Sequence, residues 1–149
     1  MTLEEILRQP EGKTLEFKRE LSSAEPFLKA VVAFANTAGG IVLFGVEDRT
    51  RRVVGIKEPL AIEARLANLV SDAIRPRVAP DIELMPWRKT QVVAVRVCPS
   101  PLRPHYVKAL GPEQGVFVRV GSSNRAADRS MIEELRRLAG SRAFDEDPM

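Results

Sequence analysis

The residues best suited to chemistry are three carboxylates and a lysine. Glu11 stands at the entrance of a strand, Glu16 projects from the polar side of that strand, and Asp48 ends the next one. Lys18 shares the face of Glu16, because strand side chains alternate with a period of two. If the two strands pair or lie close, Glu11, Glu16 and Asp48 converge at one end of a sheet. Like charges gathered in this way repel unless protons or cations neutralise them. Mg²⁺ or Mn²⁺, held by oxygen ligands, would do so and would activate water for attack on a phosphodiester. Lys18 would then hold a carboxylate or stabilise charge developing on phosphate. A solvated strand face with ordinary Glu–Lys alternation fits the same residues, and spacing alone leaves both readings open.

A second set is basic. Of the 23 basic residues 17 are arginine, whose planar fork suits phosphate in a way lysine does not. They cluster at Arg49, Arg51 and Arg52, at Arg75 and Arg77, and at Arg119, Arg125 and Arg129. In the segment Arg119-Val-Gly-Ser122-Ser123-Asn124-Arg125 a strand runs into a turn whose backbone N–H groups form a candidate anion nest, bracketed by two arginines. Ser and Asn also close turns by bonding their own backbone, so the segment has a structural reading as well. Lys108, beside His105 and Tyr106, joins the candidate nucleic-acid contacts. His105 and Tyr106 fit either base stacking or packing. Asn36-Thr-Ala-Gly-Gly40 imitates a phosphate loop but lies after a helix and before a strand. It lacks the Gly-Lys-Ser/Thr that would follow, so a helix C-cap is expected and ATP is not. Trp87 is expected in the core or over a sheet edge, and Cys98 in the core.

The elements that must position these groups follow from periodicity. A helix over Thr2–Gln9 opens on a Thr2/Glu5 capping box. Thr14–Lys18 alternates as a half-buried strand. Ser22 or Ser23 caps a helix carrying Phe27, Val31 and Phe34, and Ile41–Val46 is a strand covered on both faces. Asp48–Arg52 is a turn and Val53–Ile56 its returning strand. A helix spans Ile62–Ala73, strands lie at Asp81–Trp87, Val92–Val97 and Val116–Val120, and a short edge strand at His105–Lys108. A last helix carries Met131, Ile132, Leu135 and Leu138. Helices mixed with hairpins predict an α+β fold with a mixed, mainly antiparallel sheet and flanking helices. With 149 residues, 44% hydrophobic and 29% charged, the chain has the make-up of one packed domain and not of a disordered tail. Its net charge of +3 excludes a uniformly basic polyanion binder. One cysteine and one histidine exclude an internal disulfide and a Cys/His zinc cluster within one chain. The longest apolar run falls far short of the roughly 20 residues of a membrane span. No secretory signal opens the sequence, so a cytoplasmic protein without a membrane partner is expected.

Four segments in order, Glu11–Lys18, Ala33–Gly40, Phe44–Asp48 and Phe117–Arg125, make the chain resemble the Schlafen AlbA-like domain, over about Glu11 to Leu138. The resemblance implies a nucleic-acid-binding domain, acting on RNA or DNA, of the kind found in transcriptional regulators. It also implies an alternative. In animal Schlafen proteins that cut structured RNA such as tRNA, the catalytic carboxylates fall on Glu11, Glu16 and Asp48 with Lys18 as the accompanying lysine, which would make this a Mg- or Mn-dependent endoribonuclease. Those proteins carry two tandem lobes and this chain carries one, so a homodimer is expected to restore a two-lobed groove. The expected layout is an N-terminal helix over 1–10, the Schlafen AlbA-like domain over 11–140, and a disordered acidic tail over 141–149.

Overall fold

The structure, a computed structural model, describes residues 2–10 and 12–146, with side chains to Ala139. The chain runs α1 (Leu3–Arg8), β1 (Leu15–Lys18), α2 (Ala24–Asn36), β2 (Gly40–Phe44), α3 (Pro59–Ala73), β3 (Ile74–Arg75), β4 (Asp81–Trp87) and β5 (Thr90–Val97). It continues through β6 (Tyr106–Val107), a 3-10 turn (Lys108–Leu110), α4 (Gly111–Gln114), β7 (Phe117–Val120), β8 (Ser123–Ala126) and α5 (Arg129–Glu146). The main sheet has the order β1-β2-β5-β4. Only β1 and β2 are parallel, with Glu16 opposite Val42 and Lys18 opposite Phe44. The fold is α+β, and the sheet mixed and mainly antiparallel, as the periodicity predicts.

The central strands β2 and β5 are apolar on both faces because both faces are covered. Val42, Phe44, Val93 and Val95 pack with Phe27, Val31 and Phe34 of α2 and Leu66 and Val70 of α3. Leu43, Val92 and Ala94 point the other way, onto Leu3 and Ile6 of α1 together with Leu15 and Phe17. The six-residue α1 is short for a free helix. It is held by this packing and by Thr2, whose Oγ1 accepts from the Glu5 N–H at 3.2 Å. The β7–β8 hairpin lies outside the main sheet. Phe117 packs into the α2 cluster, whereas Val118, on the opposite face, packs on Ile132 and Leu135 of α5.

Several expectations need correcting. Val53–Ile56 forms no strand; it makes one bridge, Val46 to Val53, and then turns at Gly55, where φ is +78°. There the Gly55 N–H donates to the Gly45 carbonyl (2.9 Å) and the Ile56 N–H to the Gln91 carbonyl (2.8 Å), so backbone docking replaces hairpin pairing. Ser23 holds the N-cap position of α2 but makes no side-chain cap bond. Cys98 is exposed, because it follows the last residue of β5 and escapes the sheet. Helix α5 runs to Glu146; residues 147–149 of the expected tail lie outside the described residues. The Asn36–Gly40 segment is a helix end, as expected. The N–H groups of Thr37 and Gly39 both donate to the Phe34 carbonyl, at 3.2 and 2.9 Å, with Gly39 at φ +76°.

Candidate functional site

Parallel strands end on the same side of a sheet, and the crevice beyond their carboxyl ends is a common ligand position. Here the ends of β1 and β2 open into a cleft of about 420 Å³ lined by Glu16, Phe17, Lys18, Pro26, Lys29, Asp48, Ser122 and Asn124. Strand β1 supplies Glu16 and Lys18, the segment after β2 supplies Asp48, and α2 supplies Lys29. The β7–β8 hairpin brings Ser122 and Asn124 over the same opening.

Arg119 of β7, whose side chain is 0% exposed, ties the hairpin to the edge strand behind the cleft. A buried guanidinium is tolerated only when its donors and its charge are matched. Nε and Nη2 donate to the Gly12 carbonyl at 3.2 and 2.8 Å, and Nη2 donates to the Leu15 carbonyl at 3.1 Å. Nη1 donates to Glu16 Oε1 at 2.6 Å and to Asn124 Oδ1 at 2.8 Å. The plane lies 4.9 Å from the Phe34 ring centroid. Strand pairing sets Asn124 directly opposite Arg119, which lets the amide share the carboxylate: Asn124 Nδ2 donates to Glu16 Oε1 at 3.1 Å. Lys18 Nζ lies 3.2 Å from Glu16 Oε2. Glu16 is thus met by two cations and an amide.

The structure brings together five of the residues singled out by sequence: Glu16, Lys18, Asp48, Ser122 and Asn124. Arg119 is not a phosphate contact, since its whole fork is spent inside the protein. Ser122, Ser123 and Asn124 do not form a nest of free N–H groups either. Ser123 begins β8 opposite Val120, so the segment is a hairpin. Ser123 and Arg125 are exposed, and strand alternation sends them to the face of β8 opposite Asn124. Arg49 and Arg52 are exposed on the turn after Asp48, and Lys108 is exposed on the 3-10 turn without lining the cleft. Arg51 turns inward at φ +59°. Its Nη1 donates to the Leu7 carbonyl at 3.0 Å and to the Gln9 carbonyl, and its guanidinium lies 5.1 Å from the Phe17 ring centroid. It fastens α1 to the sheet and is no free cation. Glu11 lies outside the described residues.

Sequence reasoning passes over Lys29 and reads Asn36 only as part of a helix end. Lys29 borders the cleft with its ammonium 5.2 Å from the Phe117 ring centroid and 2.9 Å from Glu25. Its sequence signal is its place off the Phe27–Val31–Phe34 stripe of α2. Asn36 is buried and holds two loops: its Nδ2 donates to the carbonyls of His105 and Phe117, both at 3.0 Å, and its Oδ1 accepts from the His105 N–H at 2.7 Å. The His105 ring is buried too, so it stacks on no base. Burial lowers its pKa, against the hydrogen bond to the Pro76 carbonyl, which raises it, and with Arg103, which lowers it further. The neutral ring fits its partners as the tautomer in which Nδ1–H donates to Pro76 O (2.7 Å) and Nε2 accepts from Ser100 Oγ (2.6 Å).

A divalent cation needs several anionic oxygens free to face it. Among the described residues no group of three His, Cys, Asp or Glu side chains is placed to hold one. Glu16, charge-matched by Arg119 and Lys18, and Asp48 do not by themselves fit a metal centre. No helix of the described residues is long and apolar enough to cross a membrane.

A mixed sheet whose parallel edge opens into a polar cleft, roofed by a hairpin tied back to the edge strand, defines the domain class. The family model described as Schlafen, AlbA_2 matches residues 11–128. The chain belongs to this family. Among solved structures it is similar to the N-terminal domain of a "Putative ATP-dependent DNA Helicase RecG-related Protein" from Nitrosomonas europaea, at 25% identity and a TM-score of 0.66, over 84% of this chain and 92% of that one. It is also similar in fold to a Corynebacterium diphtheriae protein, at 23% identity and a TM-score of 0.67, over 91% of this chain and 31% of that one.

Proposed function

We propose that the protein is a nucleic-acid-binding domain that holds the phosphodiester backbone at the cleft between β1, α2 and the β7–β8 hairpin. The observation that carries this reading is the division of charge in the cleft. Arg119 matches Glu16 inside the protein, so Lys18 and Lys29, held only in partly exposed pairs with Glu16 and Glu25, can exchange those carboxylates for a polyanion that approaches on the side away from Asp48, with Ser122 and Asn124 as hydrogen-bonding neighbours. Arg49 and Arg52, exposed on the turn after Asp48, extend the basic rim. The family, and the DNA helicase to which the Nitrosomonas protein is described as related, support the same class of partner.

The test is filter binding of labelled tRNA and duplex DNA at a series of salt concentrations. Removing one cation that meets a phosphate should lower the slope of log affinity against log salt by about one unit, so Lys29→Ala is expected to show that fall. An unchanged slope in both Lys29→Ala and Ser122→Asp would refute binding at this cleft. A second reading, endoribonuclease action, is favoured by Glu16 and Asp48 lining the same cleft as Lys18. Cleavage of tRNA that requires Mn²⁺ and disappears in Asp48→Asn, with binding retained, would establish it in place of simple binding.

A further inference from the structure

We propose that the tip of the β4–β5 hairpin, together with Lys57, forms a second contact site for the phosphodiester backbone, reached from the cleft along one side of the molecule; this rests on the nucleic-acid reading above. The tip faces a hollow of about 450 Å³ whose lining includes Lys57, Arg88, Lys89, Thr90 and Gln91, and no carboxylate. Among the described residues none of the three cations makes an ion pair. Three like charges around one hollow repel one another, and an anion that enters it relieves the repulsion.

The site is built on backbone and is not three loose side chains. Trp87 pairs with Thr90, which leaves Arg88 and Lys89 as a two-residue turn, with Arg88 at φ +52°. Thr90 sits on Gly55 so closely that a Cβ at Gly55 would fall 1.8 Å from Thr90 Oγ1. The Ile56 N–H donates to the Gln91 carbonyl at 2.8 Å. The segment carrying Lys57 is therefore docked against the hairpin tip, and the Arg88 guanidinium is steadied over the Trp87 ring, 5.6 Å from its centroid.

A second hollow adjoins the tip, and its link to the cleft is the chain neighbour of Lys18. It measures about 620 Å³, shares Ile56 and Lys57 with the tip, and begins at Arg19, the residue after Lys18. Glu20 and Glu58 also line it, so this hollow is less basic than the tip, whose lining holds no carboxylate. Arg19 is paired with Glu47 at 3.1 Å, but its side chain is 63% exposed, and a surface pair of this kind exchanges readily for phosphate.

The experiment is fluorescence anisotropy of the full chain with labelled single-stranded RNA and with duplex DNA, titrated with salt. In the Lys57→Ala/Arg88→Ala/Lys89→Ala triple variant the salt slope is expected to fall by about 2–3 units and affinity at low salt at least tenfold. Lys89→Glu alone should weaken binding further than Lys89→Ala. All three side chains are exposed, and a circular dichroism melt checks that the variants stay folded. If the triple variant binds like wild type while Lys18→Ala/Lys29→Ala is weakened, the second site is refuted and the cleft reading stands. If the triple variant loses binding and the cleft variant does not, the hairpin tip is the site and the cleft reading falls. If wild type shows no salt-dependent binding to either probe, both fall together.

Discussion

Replacing Arg119 by alanine tests the structure most sharply, because its two readings predict opposite results. As a surface phosphate ligand, the arginine could be removed at little cost to stability, with the salt slope of binding falling by one. As found, its side chain is fully buried and bonded to Glu16, Asn124 and the carbonyls of Gly12 and Leu15. The substitution leaves Glu16 beneath the hairpin with Lys18 as its remaining cation, and removes a donor from each of two backbone carbonyls, Gly12 and Leu15. Removing one partner of a buried ion pair costs about 3–5 kcal/mol. For a chain of this length that corresponds to a fall in Tm of roughly 6–20 °C. Arg119→Lys keeps a point charge near Glu16 but cannot serve both carbonyls and Asn124, so it should fall between wild type and alanine. Urea unfolding followed by circular dichroism gives the free energy and shows through the m-value whether the transition stays cooperative. A loss below about 1 kcal/mol in Arg119→Ala, the range of an exposed pair, would refute the buried clamp.

The remaining predictions concern what surrounds the cleft. Stability should fall as pH drops from about 6.5, because His105 has a lowered pKa in the folded state and the unfolded chain takes up the proton first; thermal melts at pH 7.5, 6.5 and 5.5 (approximate values) should show a shallower fall in His105→Asn. Asn36→Ala should cost roughly 1–3 kcal/mol for each of the three backbone groups it orphans, read by urea unfolding. Arg51→Ala should release α1 from the sheet, seen as faster amide exchange over residues 3–8 with little change elsewhere; protection unchanged there would show that packing alone holds the helix.

What the sequence makes legible is what depends on neighbours close in the chain. The Phe27–Val31–Phe34 stripe, the apolar run of β2 and the shared face of Glu16 and Lys18 follow from period alone, and Glu16 and Lys18 do meet. Arg119 does not follow, because β7 is covered on both faces and an arginine between valines reads as solvent-facing. Its partner Glu16 lies 103 positions away. Asn36 is hidden for the same reason, with partners 69 and 81 positions downstream. The Gly121-Ser122 turn fits an anion nest and a hairpin equally well by composition, and only the pairing of Ser123 with Val120 decides. Arg51 reads as one of three turn arginines until its positive φ carries it under α1.

The reach of Arg119 across the chain also fixes when the cleft comes into being during synthesis. Chains emerge from the ribosome N-terminus first, at about 5–20 residues per second. Helix α2 and strands β1, β2 and β5 are all synthesised before Arg119 and Asn124 are added. In that interval Glu16 has only Lys18 as a cation, and the cleft has no roof. The cleft is therefore completed by a hairpin made after most of the core, so a chain cut short before Asn124 would carry most of the core and an unfinished cleft. Any truncated fragment tested for nucleic-acid binding should be compared with the whole chain on that ground.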